Sequence, residues 1–225
     1  MKINFYETID DSVKRIHDEV PYADWHKKLT WIDIRSDKRT EVTHHFEKLS
    51  ILSEYRDVLE HPENYSVTKQ IHGKVVVNIV VSDAKDIYKA DYITFILDKD
   101  LVISILPESA DLLDESLFPS HLRKNFSAFL DYIFHSITTG ILTISNINIG
   151  LARNRIHHTE DILTIQPGEL IPSELMTLEN DIGRLTDIIE DQYVGFGILA
   201  SLSSALPKNE TVEHLEEMLK GFEVL

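Results

Sequence analysis

The chemistry open to this sequence is set by 38 Asp and Glu, 11 His and no Cys among 225 residues. Without thiols, disulfide frameworks, thiolate zinc sites and cysteine nucleophiles are excluded together. Two adjacent histidine pairs stand out, His44-His45 and His157-His158. Neighbours in a helix point about 100° apart, so His44 and His45, in a helical pattern, cannot ligate one ion from one face. His157-His158, beside Glu160-Asp161, reads as part of a loop and is the freer pair. Asp98-Lys99-Asp100 resembles a D-x-D metal motif, but between two apolar runs those residues are what a hairpin turn demands. Glu179, Asp181, Asp187, Glu190 and Asp191 read as the solvated face of an amphipathic helix. Magnesium is held by one or two carboxylates and retained waters, so acids scattered in this way suit weak, solvent-shared binding. The sequence holds no G-x-G-x-x-G, P-loop, G-x-S-x-G or H-E-x-x-H string. It reads as a non-enzyme.

The net charge of -16 argues against a nucleic-acid partner. Binding along phosphates needs a basic stripe to displace counterions, and a surface this acidic repels DNA, RNA and anionic headgroups while attracting cations. The excess lies mainly in residues 126–225, where 15 acids meet 5 Lys and Arg.

Elements to position these groups follow from the apolar patterning. Residues 29–34 read as a strand, followed by helices over about 38–49 and 52–59, the second broken at Pro62-Glu63-Asn64. Two hairpins come next, 66–71 turning at His72-Gly73 into 75–81, and 92–97 turning at 98–100 into 101–106. The run Val75–Val81 has no polar alternation, which predicts a central strand covered on both faces. After Pro107 the pattern becomes helical: a short helix near 109–116, a long one from about 120 to 155, and a loop over 157–172. A second long helix has Ser173 as its N-cap and a stripe of Leu175, Leu178, Ile182, Leu185, Ile188 and Ile189. A last helix begins near Asn209 with Val212, Leu215, Leu219 and Phe222 on one face. The fold class expected is α+β, an αβα sandwich with a mixed, largely antiparallel sheet over residues 1–119. A helical subdomain over 120–225 follows it.

Residues 125–152 lack Lys and Arg and are long enough to span a bilayer. Asp131, His135, Asn146 and Asn148 make a buried soluble helix the better reading, because a carboxylate near a bilayer centre costs about 2.5–3.5 kcal/mol. The apolar run 193–206 is too short to span. The start turns acidic before any apolar stretch, so no signal peptide is read and cytosolic exposure is expected. At the other end the stripe is still running at Leu225 without a capping residue, which reads as a cut inside a longer helix.

In order and in several strings the sequence resembles the cytosolic domain of CorA-type magnesium and cobalt transporters. Trp31-Ile32-Asp33-Ile34 is similar to the family's W-I-[ND]-[IL] strand. The segment Asp57 to Val67 is similar in spacing to the one where an aspartate leads into the next strand. The hairpin Ile93 to Glu108 matches the family's apolar–turn–apolar hairpin. The family's Gly-Met-Asn signature, its two membrane helices and its stalk are absent, which the resemblance explains as truncation before the stalk.

The resemblance implies a regulatory domain on the cytoplasmic side of the cell membrane, in a transporter that is a homopentamer when complete. Mg2+, or Co2+ or another divalent cation, would bind weakly between neighbouring subunits and keep the pore closed. Asp57 is the position matching the domain-side metal carboxylate. Arg56 stands where the family often has a second acid, and Asn146 and Asn148 stand where its long helix has acids. Membrane contact would come only through the missing helices, and the chain in isolation would be a monomer or a dimer. The alternative is a free-standing soluble α/β domain that binds a small ligand or a protein.

Overall fold

The computed structural model describes residues 1–9, 12–17, 19–48, 55–65, 69–71, 74–82, 90–98, 101–108, 126–165 and 172–201. Its centre is a seven-stranded sheet of β1 (Lys2–Ile9), β2 (Ser12–Ile16), β3 (Trp31–Arg35), β4 (Lys69–Ile71), β5 (Lys74–Ser82), β6 (Ala90–Leu97) and β7 (Val102–Leu106). The spatial order is β2-β1-β3-β7-β6-β5-β4. Among the described strand pairs only β3–β7 is parallel, so the sheet is mixed and largely antiparallel, as expected. The helices are α1 (Trp25–Lys28), α2 (Arg39–Lys48), α3 (Arg56–Glu60), α4 (Phe126–Ile165) and α5 (Pro172–Ser201). The expected boundary between 1–119 and 120–225, the helices near 109–116 and 209–225, and the turn residues 72–73 and 99–100 lie outside the described residues.

Alternation along each strand divides the sheet into two faces. On one face Ile32, Ile34, Val76, Ile96, Ile103 and Ile105 form a single buried cluster with Val42 and Phe46 of α2 and Val58 and Leu59 of α3. Each such side chain removed from water contributes about 1.5–3 kcal/mol. On the other face Trp31 stacks on Tyr6 with ring centroids 4.4 Å apart and donates from Nε1 to Ser104 Oγ at 2.9 Å. Asp33, beside them and buried, accepts from Ser104 Oγ at 3.0 Å, Asn4 Nδ2 at 3.2 Å and Arg35 Nε at 2.9 Å. A buried carboxylate is tolerable when it is paired and hydrogen-bonded in this way. The β1–β2 hairpin that supplies Asn4 has no counterpart in the sequence reading. Both faces of β1 are used, with Asn4 and Tyr6 buried on one and Ile3 and Phe5 packed on the cluster of the other, and that blurs its alternation.

Strand β5 is buried on both faces from Val75 to Ser82, as its composition suggests, but it is not central. It lies second from the end, and among the described residues β4 pairs only with residues 74–76. Helix α5 covers the remainder: Gln192 Nε2 donates to the Val80 carbonyl at 3.0 Å, and Gln192 Oε1 accepts from Ser145 Oγ of α4 at 3.0 Å. Asn148 Nδ2 of α4 donates to Ser82 Oγ at 2.8 Å.

Three expectations for the helices are corrected. Helix α4 runs to Ile165, so residues 157–165 are helical rather than loop. They contain no Gly or Pro, and Ile156, Thr159 and Ile162 keep a partly buried face going. Ser173 lies inside the first turn of α5, not at its cap, because Pro172 takes the opening helical position that its fixed φ suits. The buried stripe of α5 is Leu178, Asp181, Leu185, Ile188, Gln192 and Gly195, while Leu175 and Ile182 are exposed. Asp181 thus sits in the seam between the two helices, paired with Arg155 of α4, and not on a solvated face. No described helix is long and apolar enough to cross a membrane.

The Arg155–Asp181 pair gives a stability prediction. Arg155→Ala leaves Asp181, 1% exposed, without its cation and should cost about 2–4 kcal/mol in denaturant unfolding. Leucine at both positions should recover most of that loss, because an apolar seam strands no charge.

Candidate functional site

Asp57 occupies the first turn of α3, whose Val58 and Leu59 are buried in the core cluster. Those two anchors fix the turn and leave Asp57 and Arg56 exposed. Arg56 Nε reaches Glu60 Oε1 at 3.3 Å, one helical turn on. The chain leaves α3 through His61, whose N–H donates to the Asp57 carbonyl at 2.9 Å, and enters the 3-10 turn Pro62–Tyr65 on the buried ring of Pro62. His61 Nδ1 lies 3.3 Å from Glu63 Oε1. Asp57, Glu60 and Glu63 are therefore carried within seven residues on a segment rooted in the core.

A second acidic neighbourhood escapes sequence reading because its members come from three distant segments. Glu63, Asp91 of β6 and Asp191 of α5 all act on the Tyr92 hydroxyl, whose pKa is raised first by burial, then by Asp191, Glu63 and Asp91. Asp91 also faces the buried Arg39 of α2, with Oδ1 3.8 Å from the guanidinium. Arg39 donates to Thr94 Oγ1 at 3.0 Å, and Thr94 in turn donates to Asn78 Oδ1 at 2.6 Å. Burial lowers the Arg39 pKa and Asp91 opposes that shift. No local motif marks this set; only the pairing of β5 with β6 and the packing of α5 bring it together.

The remaining candidates lie apart from one another. His44 is exposed on α2, and His45 makes an edge contact with Phe46, ring centroids 6.2 Å apart. His157 and His158 are exposed on α4, with His157 Nδ1 3.2 Å from Glu160 Oε2. Asp98 directly follows β6; its N–H donates to the Leu101 carbonyl at 2.9 Å and its carboxylate pairs with Lys74 at 3.2 Å. Among the described residues no group of three or more His, Asp or Glu is placed to hold a metal ion. One exposed carboxylate on a rooted turn suits a cation that keeps most of its waters and takes a second ligand from elsewhere.

No protein-family model matches the sequence, and no curated protein matches it. Solved structures do match the fold. The complete CorA magnesium transporter from Methanocaldococcus jannaschii superposes with a TM-score of 0.62 at 10% identity, over 100% of this chain and 70% of that one. The soluble domain of the same transporter gives 0.60 at 12% identity, over 99% of this chain and 88% of that one. The full-length CmaX protein gives 0.65 at 16% identity, over 99% and 72%. At these identities the likeness is one of fold.

The acidic surroundings of Tyr92 are open to titration. Its neutral form is favoured in the fold, so its contribution to stability is complete below the ordinary tyrosine value of 10.0 and is lost as pH rises through the higher folded value. In an ultraviolet titration Tyr92→Phe should remove one late-ionising tyrosine. Asp191→Asn should bring that step to lower pH without restoring the ordinary value, because burial persists.

Proposed function

We propose that this chain is the cytosolic regulatory domain of a CorA-like divalent-cation transporter, and that it senses the ion rather than catalysing a reaction. The observation that carries the reading is the fold likeness over the whole chain, which takes in both its sheet and its two long helices. The CorA-like order of strings from Trp31 to Glu108 supports it independently of the fold. The strongly acidic surface supports it too, since it concentrates divalent cations near the protein.

Asp57 is the carboxylate assigned to the sensed ion, Mg2+ or Co2+. Alone it binds such an ion weakly. Affinity requires a second carboxylate from a neighbouring copy, which makes binding conditional on how copies are arranged in a ring. An ion bound in only one arrangement shifts the population toward it by its differential affinity. The core-rooted turn of α3 suits this role, because a rigid carboxylate transmits the restraint to the domain. Glu60, within reach of Arg56, holds that guanidinium along the helix axis.

The test is limited proteolysis of the full-length, assembled protein with and without millimolar magnesium. Magnesium should slow cleavage, and Asp57→Ala should abolish most of that protection, with Asp57→Asn close behind it. Protection unchanged by both variants would remove Asp57 from the site. A reading frame that encodes no pair of apolar spans after Leu225 would overturn the transporter reading itself and favour a free-standing binding domain.

A further inference from the structure

The turn of α3 that carries Asp57 also carries a cation, Arg56, directly before it. The helix is five residues long, and Val58 and Leu59 anchor it in the core cluster. Those anchors fix where the neighbouring side chains leave the backbone. Arg56 is 57% exposed, while Glu60, which its Nε reaches at 3.3 Å, is 22% exposed. The guanidinium is therefore drawn toward the more enclosed carboxylate, one turn along the helix. Farther on, Glu63 faces His61, with Oε1 3.3 Å from Nδ1. The segment thus sets Glu60 against Arg56 and Glu63 against His61.

The charge of Arg56 bears on any ion held at Asp57. Consecutive Cα atoms lie about 3.8 Å apart, well inside the ~8 Å over which physiological salt screens a charge. A divalent ion meets twice the repulsion that a monovalent ion meets. At an exposed position this weakens binding without abolishing it. Glu60 offsets part of the repulsion while the guanidinium lies along the helix. Were Glu60 not there, Asp57 would be the adjacent acid for that guanidinium, and a guanidinium seated on a carboxylate takes the place of the ion.

We infer that Arg56 is a tethered competitor for the sensed ion and that Glu60 holds it off, so that this pair sets the ion concentration at which the domain responds. This role rests on Asp57 being an ion ligand, as proposed above, and adds the residues that tune its threshold. Arg56 does not touch the ion; it acts through its charge. A site weakened in this way stays empty while the ion is scarce and fills only as it becomes abundant, which a sensor of abundance requires.

Magnesium titrations of proteolytic protection in the full-length, assembled protein test it, read as the concentration giving half-protection. Arg56→Gln should lower that concentration about three- to tenfold, and Arg56→Lys, which keeps the charge, should leave it within about twofold. Glu60→Gln should raise it about threefold. In the Arg56→Gln background Glu60→Gln should have a smaller effect, because the competitor it restrains is gone. Protection at saturating magnesium should be the same in every variant, and the shifts should shrink in ~0.5 M potassium chloride. A merely structural pair would instead lower the plateau and ignore salt, and either result would overturn the inference. Half-protection unchanged by Arg56→Gln, with Asp57→Ala still abolishing the response, would overturn the competitor and leave Asp57 as the ligand. Equal effects of Glu60→Gln with and without Arg56 would overturn the part given to Glu60. Protection that survives Asp57→Ala would remove the site, and the competitor with it.

Discussion

The edge of β5 is the constraint on which the arrangement of this protein turns. A strand buried on both faces over Val75–Ser82 must also satisfy its backbone along both edges, yet among the described residues β4 pairs with only its first three. An open, apolar strand edge is an aggregation hazard unless something covers it. Here a helix does so. Gln192 supplies to the Val80 carbonyl the donor that a further strand would have supplied, and Ser145 holds the amide in place. Gly195 belongs to the same contact: a Cβ added there would lie 3.7 Å from the Asn78 carbonyl oxygen, so the helix backbone runs close to the strand. The clamp decides where α5 lies and, through the seam, where α4 lies.

Polar groups in buried positions recur at each joint of the fold. Asp33 ties β1, β3 and β7 on one face of the sheet, the Arg39–Thr94–Asn78 chain ties α2 to β6 and β5 on the other, and Arg155–Asp181 ties the long helices. Each is costly to desolvate and becomes tolerable only in one geometry, so each excludes neighbouring registers that apolar packing alone would permit. The aliphatic cluster under α2 and α3 provides the bulk of the burial. The polar joints make the arrangement unique.

The candidate sensing surface depends on that rigidity without sharing in it. Asp57 is exposed but directly precedes Val58 and Leu59, both buried in the core, so a load on its carboxylate is felt by the sheet. The acids near Tyr92 gather where the 3-10 turn, β6 and α5 meet. In the sequence Asp57 was singled out by a family resemblance in local strings. Glu63, Asp91 and Asp191 were not, since residues 28 and 100 positions apart carry no joint signal until strands pair and a helix docks.

What the sequence determined by itself was local. Strand and helix types followed from apolar periodicity: the run at Val75–Val81, the β6–β7 hairpin and the stripe through Leu178, Leu185 and Ile188 were all readable because burial imposes a period of 2 or 3.6 on a chain. Its acidity and its lack of thiols were likewise settled by composition. Tertiary structure alone decided which face of each helix is buried and which strand lies at the edge. Asp181 looked like a solvated acid until Arg155 met it across the seam, and Ile182 looked like core until the seam passed one residue to its side. The β1–β2 hairpin was invisible because a strand used on both faces loses its alternation. The physical reason is the same in all three cases: periodicity records that a side is covered, whereas the partner that covers it is chosen by contacts between residues far apart in the chain.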